Sequence, residues 1–144
     1  MKNENKVRIF LVDDDVVFLK SLEIDFNEHT EFEIVTFTTG EKCLDNLILK
    51  PDVIILDYQL DGTDRSAMNG ILTLDKIKAY NKEIPVVMLS SQDEIDVAIN
   101  CMHHKAFDYV VKSETAFMRL EKTINAIFHY QKMQKELTWY MERM

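Results

Sequence analysis

At 144 residues, 47% apolar and 29% charged, the chain is too short for two ordinary domains and too apolar to be disordered; it can bury one core of usual size. A formal net charge of −8 at pH 7 argues against direct nucleic-acid or membrane binding by this domain and favours a divalent cation or a basic protein surface. Cys43 and Cys101 match no zinc spacing and read as small core residues of a reducing compartment; with no signal-peptide pattern and no membrane span, the expected location is cytoplasmic.

Short apolar runs alternate with longer amphipathic ones. Residues 7–12 read as a strand buried on both faces of a parallel sheet. Residues 15–28 follow with Phe18, Leu22 and Phe26 on one helical stripe. The 32–37 run is β-rich but less apolar, which places it nearer a sheet edge. Residues 41–49 carry Leu44, Leu47 and Ile48 at helical spacing. Residues 53–56 read as another buried strand, and 70–80 as a helix with Ile71, Leu74 and Ile77 on one face. The run 86–89 is a further strand. Residues 93–104 form a helix whose half-buried stripe is Ile95, Ala98, Ile99 and Met102, and 109–111 is the last strand. The final helix starts near Glu114 and runs almost to the end. Pro51 and Pro85 each precede a strand and end the helix before it. A βα unit repeated five times implies an α/β doubly wound three-layer sandwich, with a parallel five-stranded sheet, right-handed crossovers and helices on both faces. By analogy with flavodoxin-like sheets, the strand order is 2-1-3-4-5.

Ligands of open α/β sheets bind beyond the carboxyl ends of the strands. The first strand ends in Asp13-Asp14-Asp15, the third in Asp57, the fourth in Ser90-Ser91 and the fifth in Lys112; Thr38-Thr39-Gly40 after the second offers nothing reactive. Taken singly, an Asp after a strand is a helix cap or a solvated turn, Ser90 a cap, and Lys112 an exposed strand end. Together they make one chemistry. Three converging carboxylates repel one another, and Mg²⁺, which takes one or two carboxylates plus waters and phosphate oxygens, removes that conflict. Asp57 can then attack phosphorus to form an acyl phosphate, Lys112 can pair with a phosphoryl oxygen, and the Ser90 hydroxyl can donate to the group once it is present.

Four stretches carry a family resemblance: Ile9-Phe10-Leu11-Val12-Asp13-Asp14-Asp15, Pro51-Asp52-Val53-Ile54-Ile55-Leu56-Asp57, Pro85-Val86-Val87-Met88-Leu89-Ser90-Ser91 and Asp108-Tyr109-Val110-Val111-Lys112. In this order they resemble the response-regulator receiver family of two-component signalling, over roughly residues 7–127. The resemblance implies Asp57 as phosphoacceptor, Asp14 as a direct Mg²⁺ ligand, Asp13 as a ligand acting mostly through water, and the main-chain carbonyl of Gln59 on the metal. It implies Ser90 and Tyr109 as coupled switch residues, Lys112 as the family's lysine, and a sensor histidine kinase or phosphotransfer protein as donor. Three features depart from the family pattern: Leu60 and Asp61 replace the usual Met-Pro, the loop 61–69 is about five residues longer than usual, and Ser113 replaces a proline after the lysine. The long loop either shields the site, adds a carboxylate to it, contacts the kinase, or is a surface insertion.

Residues 1–127 are therefore expected to form the receiver domain and 128–144 an extension of its last helix. Along that helix Phe117, Leu120, Ile124, Ile127, Tyr130, Met133, Leu137, Tyr140 and Met144 fall mostly at threes and fours, close to a heptad seam. The extension is expected to pair with a second copy or with another protein's helix, the alternative being a linker stump. Two rival functions remain at this point. A haloacid-dehalogenase-type phosphohydrolase would use Asp13 as nucleophile, Asp15 as acid and Ser90 as its second motif, but it leaves Asp57 without a role. A receiver-like binding module would work without phosphorylation. His103 and His104 are adjacent on a helix, point apart, and suggest no metal site.

Overall fold

The computed structural model describes residues 6–62 and 65–144. Five strands, β1 (Arg8–Val12), β2 (Glu33–Phe37), β3 (Val53–Asp57), β4 (Val86–Ser90) and β5 (Asp108–Val111), pair in parallel in the order β2-β1-β3-β4-β5. The connecting helices are α1 (Val16–His29), α2 (Gly40–Asp45), α3 (Gly70–Tyr80), α4 (Ile95–His103) and α5 (Ala116–Glu142), with a 3₁₀ turn at Leu47–Leu49. The expected doubly wound three-layer α/β fold and strand order are present, and β2 is an edge strand with every residue only half buried.

Alternation along the strands divides the core in two. Phe10, Val12, Ile54, Leu56, Val86 and Met88 face α2, α3 and α4, where they meet Cys43, Leu74, Ile77, Val97 and Cys101. Ile9, Leu11, Val53, Ile55, Val87 and Leu89 face α1 and α5, where they meet Leu22, Phe26, Leu120 and Ile124. The three central strands are thus buried on both faces, which is why their sequences are continuous apolar runs. Burying one Leu or Ile of these layers contributes about 1.5–3 kcal/mol.

The sequence expectation fails in three places. Arg8, inside the first apolar run, is buried; its guanidinium pairs with Glu33 at 3.0 Å and donates to the Leu49 carbonyl. The second helix breaks at Asn46, whose side chain donates to the Lys42 carbonyl while its N–H closes a tight bond to Cys43. Lys50 then adopts a left-handed backbone with φ 59° and leads into Pro51. The third correction concerns α4: its buried residues are Val97 and Cys101, whereas Ile95 (75% exposed), Ile99 (58%) and Met102 (47%) of the expected inward stripe face outward.

At the carboxyl end of the sheet, side chains cap the starts of α1 and α3. Asp15 caps α1 by accepting from Val17 N at 3.1 Å and Phe18 N at 3.2 Å. Asn69 caps α3 through Leu72 N at 2.9 Å. A side chain at Gly70 would collide with the carbonyls of Asp57 and Tyr58, so the start of α3 lies directly on the end of β3. Among the described residues no peptide bond is cis, so the chain after Lys112 runs on in trans. Helix α5 continues for 27 residues, about 40 Å, well past its last fully buried residue, Ile127.

Candidate functional site

Register brings the site together. β1 pairs with β3, β3 with β4 and β4 with β5, so the residues ending these strands share one edge of the sheet. Carboxylate oxygens of Asp13, Asp14 and Asp57 all lie within 4.8 Å of one another. Lys112 Nζ stands 2.8 Å from Asp13 Oδ2 and 3.4 Å from Asp57 Oδ1, its charge resting 4.9 Å from the centre of the Phe18 ring.

Each group is held from behind. Asp13 N donates to the Phe37 carbonyl at 3.0 Å, and Asp13 Oδ1 accepts from Asp15 N at 2.9 Å. Gln59 N donates to Asp57 Oδ1 at 3.3 Å, and Tyr58 N to the Leu89 carbonyl at 2.8 Å. Lys112 N donates to the Ser90 carbonyl at 2.7 Å. The loop after β3 runs beside the acids: a Cβ on Gly62 would stand 3.3 Å from Asp14 Oδ2 and 4.0 Å from the Gln59 carbonyl oxygen, so those two oxygens flank the same small space.

Electrostatics follow from burial. Asp57 is 3% exposed, and burial together with the neighbouring Asp13 charge pushes its pKa up to about 8 despite the opposing pull of Lys112. Burial also works against the Lys112 charge, but the two carboxylates outweigh it and its pKa is raised. One cation thus faces three acids. Asp13 Oδ2 is fully buried and is compensated by the Lys112 ammonium 2.8 Å away. Such an acid-rich, oxygen-only cluster fits a hard divalent cation, Mg²⁺ above all, bound by few carboxylates and otherwise by water.

Of the residues singled out in the sequence, Asp13, Asp14, Asp57 and Lys112 converge, and Ser90 and Tyr109 stand on the adjoining strands. Ser90 Oγ accepts from Gln92 N at 3.0 Å, and the Tyr109 hydroxyl donates to the Gln92 carbonyl. Gln92 carries no signal in the sequence, because a residue that bonds through its backbone N–H and carbonyl needs no particular side chain. Asp15 is exposed and occupied as the α1 cap, which removes the acid the phosphohydrolase reading needs. Leu60, in place of the usual Met, is buried in the α2–α3–α4 core. Residues 63 and 64 of the long loop lie outside the described residues; farther along, Met68 N donates to Glu41 Oε2 of α2 at 3.1 Å.

The sequence model of the response regulator receiver domain matches residues 9–125. The chain belongs to the response-regulator receiver family. The protein-glutamate methylesterase/protein-glutamine glutaminase of Bacillus subtilis is 38% identical over 111 residues, which are 74% of this chain and 29% of that protein. The DNA-binding transcriptional regulator NtrC of Klebsiella pneumoniae is 32% identical over 101 residues, 69% of this chain and 20% of that protein. The crystal structure of NtrX from Brucella abortus superposes with a TM-score of 0.82 at 25% identity, covering 96% of this chain and 31% of that one. The chain therefore spans less than a third of these relatives' length. Among the described residues no helix is long and apolar enough to cross a membrane.

Proposed function

We propose that the chain is a phosphorylation switch in which Asp57 accepts a phosphoryl group from a histidine kinase or phosphotransfer protein. The observation that carries this reading is the convergence of Asp57 with Asp13, Asp14 and Lys112 at the carboxyl ends of β1, β3 and β5. An Asp57 carboxylate oxygen attacks phosphorus in line, the P–N bond to the donor imidazole breaks, and that nitrogen regains a proton from solvent. Asp14, Asp57, the Gln59 carbonyl and, through water, Asp13 would hold Mg²⁺, which when bound offsets charge on the phosphoryl oxygens. Lys112 moves from pairing two carboxylates to pairing one phosphoryl oxygen, a shift that its position between Asp13 and Asp57 makes short.

Readout runs through Gln92. A Ser90 hydroxyl that turns to the phosphoryl group releases Gln92 N, and the Gln92 carbonyl is the partner of Tyr109. Phosphorylation would thus reset Tyr109 and the outward row Ile95, Ile99 and Met102 of α4, the surface on which a partner would be gained or lost. Beyond residue 127, Met133, Leu137 and Tyr140 are exposed on α5, with Met144 exposed just past its end, and would pair with a second copy or a partner helix. In this reading the domain is regulatory, catalysing at most its own phosphorylation and dephosphorylation.

Incubation with acetyl phosphate and Mg²⁺, followed by intact-mass and peptide mapping, tests the assignment. A labile adduct on Asp57, absent from Asp57→Asn, is expected. An adduct on Asp13 would favour the phosphohydrolase, and none, together with no Mg²⁺ binding, would leave a phosphorylation-independent binding module.

A further inference from the structure

At the opposite end of the strands, a cleft of 770 Å³ opens between the last turn of α3, the loops before β4 and β5, and α5. Its size is that of a small-molecule site. Its α5 wall starts at Ile127, the last buried residue of the helix, and continues through Tyr130, Gln131, Gln134 and Lys135, so the extension supplies most of that wall.

The charge of this cleft opposes that of the molecule. Lys78, Lys82, Lys105 and Lys135 line it with Glu83 as the one lining carboxylate, in a chain of net charge −8. These lysines come from three separate segments, the end of α3 with the loop after it, the turn before β5, and α5, and they share one cleft only in the folded state. Lys78 is half buried and fixed, donating to the Ile84 carbonyl at 2.5 Å and to the Lys82 carbonyl at 3.4 Å, and burial lowers its pKa. Lys105 has a left-handed backbone, φ 76°, a conformation that glycine adopts without strain and that a lysine occupies at a cost.

The remaining lining is suited to a flat ring. Phe107 and Tyr130 meet edge to face with ring centres 6.4 Å apart, and the Tyr130 hydroxyl accepts from Gln134 Nε2 at 2.9 Å. Met102, Ala106 and Ile127 add apolar surface beside them. Tyr130, placed by its spacing in a helix-pairing seam, is thus engaged with its own domain.

We infer that this cleft binds an organic anion of mononucleotide size, a planar ring carrying phosphate, with the ring against Phe107 and Tyr130 and the phosphate among Lys82, Lys105 and Lys135. Charge-assisted contacts from the three exposed lysines supply the affinity, and the aromatic pair selects for the ring. This inference does not depend on Asp57 being phosphorylated.

The test is an amide NMR titration of the full chain carrying Asp57→Asn, in EDTA, so that the acidic site contributes nothing. AMP, inorganic pyrophosphate and adenosine are the probes. AMP is expected to shift the Phe107, Gln131 and Gln134 amides saturably, with affinity about tenfold or more weaker in Lys105→Glu and in Lys135→Glu. Lys105→Gly is expected to melt no lower than its parent and still to lose AMP affinity, which separates binding from folding. No saturable shift with AMP, or shifts unchanged in all three variants, would overturn the site. Adenosine binding as well as AMP would overturn the anion requirement, and pyrophosphate matching AMP would overturn the ring.

Discussion

Asp57→Asn should stabilise the metal-free protein, and the gain should grow with pH. Burial and the Asp13 charge raise the Asp57 pKa from the ordinary 3.8 to about 8. Between those values the folded state holds a proton that the unfolded state has released, so stability falls as pH rises through this window. Each unit of displacement is worth about 1.4 kcal/mol, so an isolated group would cost about 4 kcal/mol by neutral pH. Sharing the site with Asp13 and Lys112 reduces this, and on the order of 2–4 kcal/mol is the expected gain in the variant near pH 7. Asparagine keeps an oxygen for the Gln59 N–H and loses only the charge. Urea unfolding in EDTA at about pH 5 and about pH 8 measures the gap. It should be small at the acid end and wide at the alkaline end, and saturating Mg²⁺ should narrow it by stabilising the wild type, with its full set of acids, more than the variant. A variant no more stable than wild type, or a gap that ignores pH, would refute the account of a site strained by its own carboxylates.

Other perturbations probe separate parts of the site. Gly70→Ala places a methyl group against the Asp57 and Tyr58 carbonyls, so urea unfolding should show a loss of about 2 kcal/mol or more, and acetyl phosphate labelling should slow as the end of β3 shifts. Tyr109→Phe removes the donor to the Gln92 carbonyl; labelling of Asp57 should be unchanged while phosphorylation-dependent amide shifts along α4 shrink. Lys112→Met should cut labelling steeply yet leave Mg²⁺ titratable, since the acids remain; lost Mg²⁺ binding would show that the lysine organises the cluster rather than the phosphoryl group. Leu137→Glu with Tyr140→Glu should abolish any concentration-dependent dimer in sedimentation and leave the domain folded, because both side chains are exposed.

Much of this architecture was legible along the chain. A strand buried on both faces has to be apolar throughout, so the central strands stand out, and the weaker run 32–37 contains β2, an edge strand. The residues at the carboxyl ends of β1, β3 and β5 are polar in a chemically consistent way, so the acids and Lys112 stand out in the sequence without any distance between them. Periodicity was less reliable for α4. Both Ile95-Ile99-Met102 and Val97-Cys101 are apolar stripes on a short helix, and nothing in their spacing says which one faces the sheet. The more apolar stripe is the exposed one. Arg8 was hidden for a related reason: its partners, Glu33 and the Leu49 carbonyl, are distant in sequence.

The sequence alone determined the order of elements, the parallel sheet and the kinds of group at its carboxyl edge, because local pattern and burial on two faces leave few alternatives. Tertiary structure alone decided what depends on two distant segments meeting. It placed Lys112 between Asp13 and Asp57, joined Ser90 to Tyr109 through the backbone of one residue, turned an apolar stripe of α4 outward, and gathered four lysines into a cleft of an acidic protein. Those meetings are set by strand register and helix packing, which no residue encodes by itself.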